Sequence, residues 1–301
     1  NQTFNPELPV GEYARIYIQT GAVRNQGLEL ALNYNNTWKD FTWNTGVTYS
    51  MNKNKILTLA DNAINPITHE KFSISSLNMG GLGSTRFILK EGGSMGDIYS
   101  LMDLKRDANG AVYIDENNSV VTESLEANNY IKLGSVLPKG NLAWRNNFSW
   151  KNINVAFLVS ARLGGVVFSR TQAVLDNFGV SEASAAARDK GYVSVNGNDR
   201  VNPEGWYSVV AGGTAVPQYY IYSATNIRLQ EASIGYTIPR KWLGNVCDIK
   251  VSLIGRNLWM IYNKAPFDPE SVASTDNFYQ GIDYFMMPSL RNIGFNLSFK
   301  F

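Results

Sequence analysis

The chain has 301 residues, 44% hydrophobic and 12% aromatic, and 27 Lys+Arg against 25 Asp+Glu give a formal net charge of +2. A balance this even excludes electrostatic nucleic-acid binding, while one Cys and one His (Cys247, His69) exclude a disulfide framework and argue against a zinc site or a His-centred triad. Mean hydropathy is -0.20 and no apolar run approaches the roughly 18 residues of a membrane helix, a test that a membrane barrel escapes because only alternate strand residues meet lipid.

The opening NQTFNPELPVGEY carries neither an initiator Met nor a signal peptide and reads as mid-protein sequence. After this Pro- and Gly-punctuated lead-in, Leu28, Leu30, Leu32 and Tyr34 alternate with Gly27, Glu29, Ala31 and Asn33, the period of a strand with one apolar face. A polar turn near Asn36 to Asp40 leads into Phe41, Trp43, Thr45, Val47, Tyr49 and Met51, again alternating, so the two segments predict a hairpin. Residues 52–83 are polar and irregular and predict a long loop. Arg86 to Lys90 and Gly96 to Leu104 predict two shorter strands around Glu91, Gly92 and Gly93, followed by an Asp- and Asn-rich loop to about Leu137.

Leu142 to Trp150 and Val155 to Leu163 alternate and predict a second tight hairpin. The stretch 164–218 is too long for an ordinary connection and predicts a long loop, with a helical turn at Ala183 to Arg188. Strand character resumes from Tyr219 to Thr237, where Ile227 and Leu229 hold one parity and Ala232, Ile234 and Tyr236 the other. That switch requires a β-bulge near Gln230 or Glu231. Beyond the turn PRKWLGN a strand runs from Ile249 to about Tyr262, and the chain ends on Ile293, Phe295, Leu297, Phe299 and Phe301 in strict alternation. A terminus that stays in strand pattern to its last residue predicts a closure strand, with Phe295, Phe299 and Phe301 serving assembly.

About nine strands result, short turns alternating with long loops, as in outer-membrane barrels. Trp38, Trp150 and Trp242 fall at the short-turn side and Trp259 and Tyr262 at the other, where interfacial girdles sit. The opposite strand faces carry Glu29, Arg145, Arg162, Arg228 and Arg256, costly in a sandwich core and tolerated in a wet lumen. The fold class is therefore all-β, a transmembrane antiparallel barrel.

Residues NIRLQEASIGYTIPRKWL (226–243), VSLIGRNLWMIYNKAPFDPE (251–270) and YQGIDYFMMPSLRNIGFNLSFKF (279–301) closely resemble the C-terminal strands of SusC/RagA-type TonB-dependent transporters. RNQGLEL (24–30) and YSMNKNKI (49–56) resemble earlier strands of that family. The resemblance implies that residues 1–301 are the C-terminal part of a 22-stranded outer-membrane barrel whose plug and earlier strands are absent from this chain. It further implies an extracellular loop at 164–218, energy from TonB, a SusD-like surface lipoprotein as partner, outer-membrane lipid around the wall, and oligosaccharide or peptide cargo. A dimer of transporter–lipoprotein pairs is the higher assembly it allows. Two other readings stand beside it, a soluble extracellular β-sandwich or propeller that binds carbohydrate, and a passive porin.

The loop RDANGAVYIDE places Asp107, Asn109, Gly110 and Glu116 at calcium-loop spacings, but Lys105 falls at the first ligand position, so an Asn-Gly turn is the better reading. Asp268 and Glu270 belong to a rigid Pro-Phe-Asp-Pro-Glu turn with no visible partnered pocket for acid–base work. Trp206, Tyr207, Tyr219 and Tyr220 are candidates to stack on sugar rings or contact a peptide, against plain packing within the loop. No enzyme activity, cofactor or resident metal is called for.

Overall fold

The computed structural model describes residues 2–4, 16–18, 21–65, 68–213, 215–274 and 279–301. Its main feature is a seven-stranded antiparallel sheet in which chain order is also spatial order. The strands are β1 (Ala22–Trp38), β2 (Phe41–Thr58), β3 (Gly140–Trp150), β4 (Ile153–Leu163), β5 (Asn226–Ile238), β6 (Asp248–Asn263) and β7 (Asn292–Lys300). Most of the lead-in lies outside the described residues, apart from a small ladder between Gln2–Phe4 and Ile16–Ile18.

Register turns the sequence alternation into two faces. One row runs Leu32, Val47, Trp144, Val159 and Leu229 across five strands, and another runs Val155, Ile234, Leu253 and Phe295 across four. Aromatic rings interlock along the same face, Trp43 over Phe148 at 6.1 Å and Trp144 edge-on to Phe157 at 5.5 Å. Nothing among the described residues covers it. Leu32 is 73% exposed and Phe295 79%. The other face carries most of the Ser, Thr and Asn and, Arg24, Lys53 and Lys55 at the long-loop end excepted, the charged residues of the strands.

The expected bulge is present: Leu229 pairs with Val159 and Glu231 with Leu158, leaving Gln230 as the extra residue. Two of the short turns have two residues each, with Lys39 (φ 53°) and Lys151 (φ 51°) in the left-handed region, and they are linked sideways where Lys151 N–H donates to the Asp40 carbonyl at 3.0 Å. The third short connection, 239–247, holds the turn Arg240–Trp242. All three lie at one end of the sheet, and the long connections 59–139, 164–225 and 264–291 at the other.

Several sequence expectations require correction here. Among the described residues seven strands, not nine, make up the wall. Thr85–Lys90 and Asp97–Ser100 pair with each other in a separate four-stranded sheet, ordered Ile131–Ser135, Asp97–Ser100, Thr85–Lys90, Ser76–Leu82. Their residues are buried on both faces, which a lipid-facing wall strand cannot be. Removing two strands leaves the up-and-down alternation intact, so the division into a short-turn end and a long-loop end stands.

Residues 52–83 are not irregular: β2 continues to Thr58, and two short strands (Ala60–Ile64, Lys71–Ile74) and Ser76–Leu82 follow. The continuation shows no sustained apolar period: Asn25 accepts from Asn52 and Asn54, and Ile56 alone is buried, against Leu59 and Leu89. The strand expected from Tyr219 begins at Asn226 instead, after a 3-10 turn (Pro217–Tyr220) and a separate short strand (Ile221–Ser223).

Among its described residues the segment 164–218 contains three α-helices, α1 (Arg170–Asn177), α2 (Glu182–Lys190) and α3 (Pro203–Val210), of which only α2 matches the expected helical turn. Each starts on a side-chain cap, Ser169, Ser181 and Asn202 respectively. The long connections share one core. Phe87 and Ile98 from the first, Phe168, Ala173 and Val210 from the second, and Ile282 from the third are all at most 2% exposed. Burying each of the large side chains contributes roughly 1.5–3 kcal/mol, so the connections form a packed cap rather than loose loops.

Candidate functional site

The register places Glu29, Arg145, Arg162, Arg228 and Arg256 on the polar face of the wall, opposite Ser50, Gly46, Asn141, Ser160 and Glu231 respectively. They do not act alike. Arg256 makes an exposed cross-strand ion pair with Glu231 at 3.0 Å, of a kind that contributes little. Arg162 turns toward the cap and donates to the Val136 carbonyl at 2.7 Å.

Arg228 is the anchor of the long-loop end. Its guanidinium forks onto Asp268, at 2.9 and 3.2 Å, reaches Glu270 at 3.0 Å and donates through Nε to Asn226 at 3.1 Å. Both Arg228 and Asp268 side chains are 9% exposed. Burial pushes the Asp268 carboxyl up, but hydrogen bonds from Arg228, Ser289 and the Glu270 N–H outweigh it and hold the group below its ordinary value. The Pro-Phe-Asp-Pro-Glu turn is therefore a clamp between the third long connection and the wall. Its carboxylates are occupied by an arginine and are not an acid–base pair.

Beside the clamp, Thr48, Ser50, Asn141, Ser160, Arg162, Gln230 and Glu270 line a hydroxyl- and amide-rich depression of about 230 Å3 on the polar face. Such a surface offers donors and acceptors to a hydrated polar solute passing over it, and no nucleophile–base pair.

The four loop aromatics do not form one platform. Trp206 and Tyr219 meet edge-on at 5.2 Å, Trp206 against the cap core and Tyr219 with 41% of its surface open. Tyr207 lines a different cleft of about 400 Å3 together with Asp176, Arg188, Asn202 and Glu204, between the three helices. Tyr220 is 3% exposed, so its ring has no face free to stack on cargo, which corrects the reading of that residue.

Burial and then the Asp176 carboxylate push the Tyr220 hydroxyl far above its ordinary value, so it stays protonated and donates to Asp176 at 3.0 Å. Gln172 and the Ser181 hydroxyl donate to the same carboxylate, which ties α1, the start of α2 and the turn before Ile221 together. Sequence reasoning missed this knot and the helical cleft, although Ser169, the Ser181 capping box and Asn202-Pro203 were legible helix starts.

At the calcium-like loop, the Asp107 carboxylate accepts from Asn109 and Ala111 N–H groups at 2.8 and 3.0 Å, the geometry of an Asn-Gly turn. At the sheet edge, β7 pairs with β6 alone among the described residues, and its Phe295 and Phe299 stand exposed on the apolar face. Phe301 lies one residue beyond the strand.

No protein-family model matches the chain. Two curated relatives from Formosa agariphila do: TonB-dependent receptor P3, 25% identical over 97% of this chain and 30% of the relative, and TonB-dependent receptor P26, 28% identical over 93% and 29%. Two solved structures of the RagAB peptide importer share the fold: the open-open state has a TM-score of 0.66 over 99% of this chain and 31% of that chain, and the closed-closed state 0.64 over 96% and 31%, both at 16% identity.

The chain spans about three-tenths of the length of the curated relatives it matches. The resemblance to TonB-dependent receptors noted from the sequence is borne out, and so is the all-β class, with a sheet that aligns to part of a transporter barrel.

Proposed function

We propose that this chain, similar throughout to TonB-dependent receptors, supplies wall and extracellular cap to an importer that takes up a peptide or oligosaccharide through the outer membrane. The observation that carries the proposal is the two-faced sheet, with a broad exposed apolar face on one side, where the polar Thr45 and Asn146 accept from Trp144 and Trp43, and Glu29, Arg145, Arg162, Arg228 and Arg256 on the other. A soluble sandwich would bury that apolar face, whereas lipid is its natural solvent in a barrel.

On this reading the polar face lines the lumen, the short turns are periplasmic, and the cap, including 164–218, is extracellular. Residues 1–301 are then the C-terminal part of the barrel domain, and β7, through Phe295, Phe299 and Phe301, meets the first strand of the complete barrel. Energy comes from TonB through parts of the protein beyond this chain, and a SusD-like lipoprotein closes over the cap, with pairing of two such units as the higher assembly. A peptide cargo is favoured by the likeness to a peptide importer. Trp206, Tyr207 and Tyr219 on the cap are the cargo contacts, Tyr219 being the most open ring.

The experiment is uptake of a labelled peptide mixture by cells carrying the complete protein. TonB-dependent accumulation that disappears on deletion of the gene supports active import. Accumulation unaffected by loss of TonB makes the protein a passive porin, and recovery of the protein from the soluble fraction overturns the barrel reading itself.

A further inference from the structure

The β1–β2 hairpin outruns the rest of the wall. The last residue of β2 paired to β3 is Ser50, yet the β1–β2 ladder continues to Thr58. On the face that is apolar lower down, the rows read Leu28 opposite Met51, then Gln26 opposite Lys53, then Arg24 opposite Lys55. At about 3.4 Å per residue, Lys53 stands roughly 7 Å and Lys55 roughly 14 Å beyond the last apolar row. The change from lipid-compatible to cationic surface is abrupt.

Arg24 and Lys55 are like charges placed directly opposite each other, an arrangement that destabilises a ladder unless something neutralises it. Among the described residues no carboxylate stands within ion-pair distance of Arg24, Lys53, Lys55 or Lys139. The nearest acid in the cleft, Asp97, is engaged by Lys132. Where β2 leaves β3, a cleft of about 560 Å3 opens, lined by Met51, Lys53, Lys55, Lys132, Pro138 and Lys139 among others. The lining combines apolar Met51, Leu137 and Pro138 with four lysines, which suits a molecule with a greasy body and an anionic head.

We propose that Arg24, Lys53 and Lys55, with Lys139 across the cleft, hold a phosphate-bearing lipid headgroup of the outer leaflet. Lysines and arginines just above an apolar band meet lipid phosphates at the depth where those phosphates lie, each contributing attraction that falls off within a Debye length. This inference rests on the orientation adopted above, in which the long-loop end faces outward.

The test uses the complete protein carrying this chain, purified from outer membranes in mild detergent, with native mass spectrometry of bound bis-phosphorylated lipid A, a zwitterionic phospholipid and inorganic phosphate. Wild type retains lipid A over the zwitterionic lipid. R24Q/K53Q/K55Q binds lipid A about a hundredfold more weakly, roughly fivefold for each charge removed. K53R/K55R keeps wild-type retention, and K39Q, at the opposite rim, changes nothing.

Equal retention by wild type and the triple variant overturns the proposal, as does tight binding of inorganic phosphate without preference for lipid A, which makes this a small-anion site. If the triple variant fails to fold, K53Q and R24Q each carry the fivefold loss and decide the question. Recovery of wild type outside the membrane sinks the barrel reading. A membrane-embedded protein without the preference sinks this inference alone.

Discussion

Leu32 and Phe87 are both large apolar residues in β-strands, yet Leu32 is 73% exposed and Phe87 fully buried. The first belongs to the wall, the second to the cap, and the contrast holds across both regions. The cap hides Phe168, Val136, Val210 and Ile282, contributed by three separate connections, and so meets the ordinary condition of a water-soluble core. The wall reverses that condition: its apolar face is open, and apart from Arg24, Lys53 and Lys55 at the long-loop end its strand charges lie on the opposite side. Stability of the cap is therefore intrinsic, and stability of the wall depends on the solvent it is given.

The largest expected effect follows from the cap having a true core. Phe168→Ala should cost about 3–5 kcal/mol, because the side chain is enclosed and the cavity has three connections as its walls. Hydrogen exchange of the complete protein in detergent should show faster exchange across α1, α3 and the strand at Val166–Ser169, with β3 and β4 unchanged. If β3 and β4 loosen equally, cap and wall are one cooperative unit and the contrast dissolves.

Next comes the joint between the two regions. Asp268→Asn removes a carboxylate from a nearly enclosed arginine, but Glu270 stays 3.0 Å from Arg228, so about 2–3 kcal/mol is expected, less than for a fully orphaned buried charge. Limited proteolysis between 264 and 291 should accelerate. The same clamp gives a pH dependence. Because the folded carboxyl of Asp268 lies below its ordinary value, its stabilisation is complete above the ordinary carboxylate range and is lost as pH falls through that range to the folded value. Proteolysis of wild type should therefore rise on acidification below about pH 4, and the rise should be smaller in Asp268→Asn.

Adjacent residues on β5 sharpen the contrast within the wall. Ile234 lies on the apolar face and Ser233 on the polar face, so Ile234→Arg should cost about 2 kcal/mol in lipid vesicles and Ser233→Arg close to nothing. Urea unfolding from vesicles reads both. Equal costs would mean that the polar face is packed rather than wet.

The wall was legible because each of its strands must satisfy two solvents at once, and that leaves a period of two over many residues, down to the extra residue at Gln230. Strands meeting one environment on both sides leave no such trace. Thr85–Lys90 and Asp97–Ser100, enclosed on both faces, read as plausible wall strands, and Asn52–Thr58, where Ile56 alone is buried and no apolar alternation is sustained, read as loop. Arg228 could be assigned to the polar face from parity alone. Its carboxylate partners lie some forty residues on, beyond the whole of β6, and nothing local announces them. The burial of Tyr220 likewise depends on Asp176, a contact between residues 44 apart.

The smallest expected effect concerns how the cap holds its own helices. Ser181 caps α2 through Ser184 N–H and donates its hydroxyl to Asp176, so one oxygen serves both a local cap and the knot between α1 and Tyr220. Ser181→Ala should cost about 1 kcal/mol as a cap. A lost cap frays only the first turn of α2, and exchange would quicken at residues 184 and 185 alone. If the hydroxyl also matters to Asp176, faster exchange should extend to the end of α1. Ser181→Asn separates the two roles, since Asn restores the cap while its differently placed amide leaves Asp176 one donor short, and protection should return to α2 but not to α1.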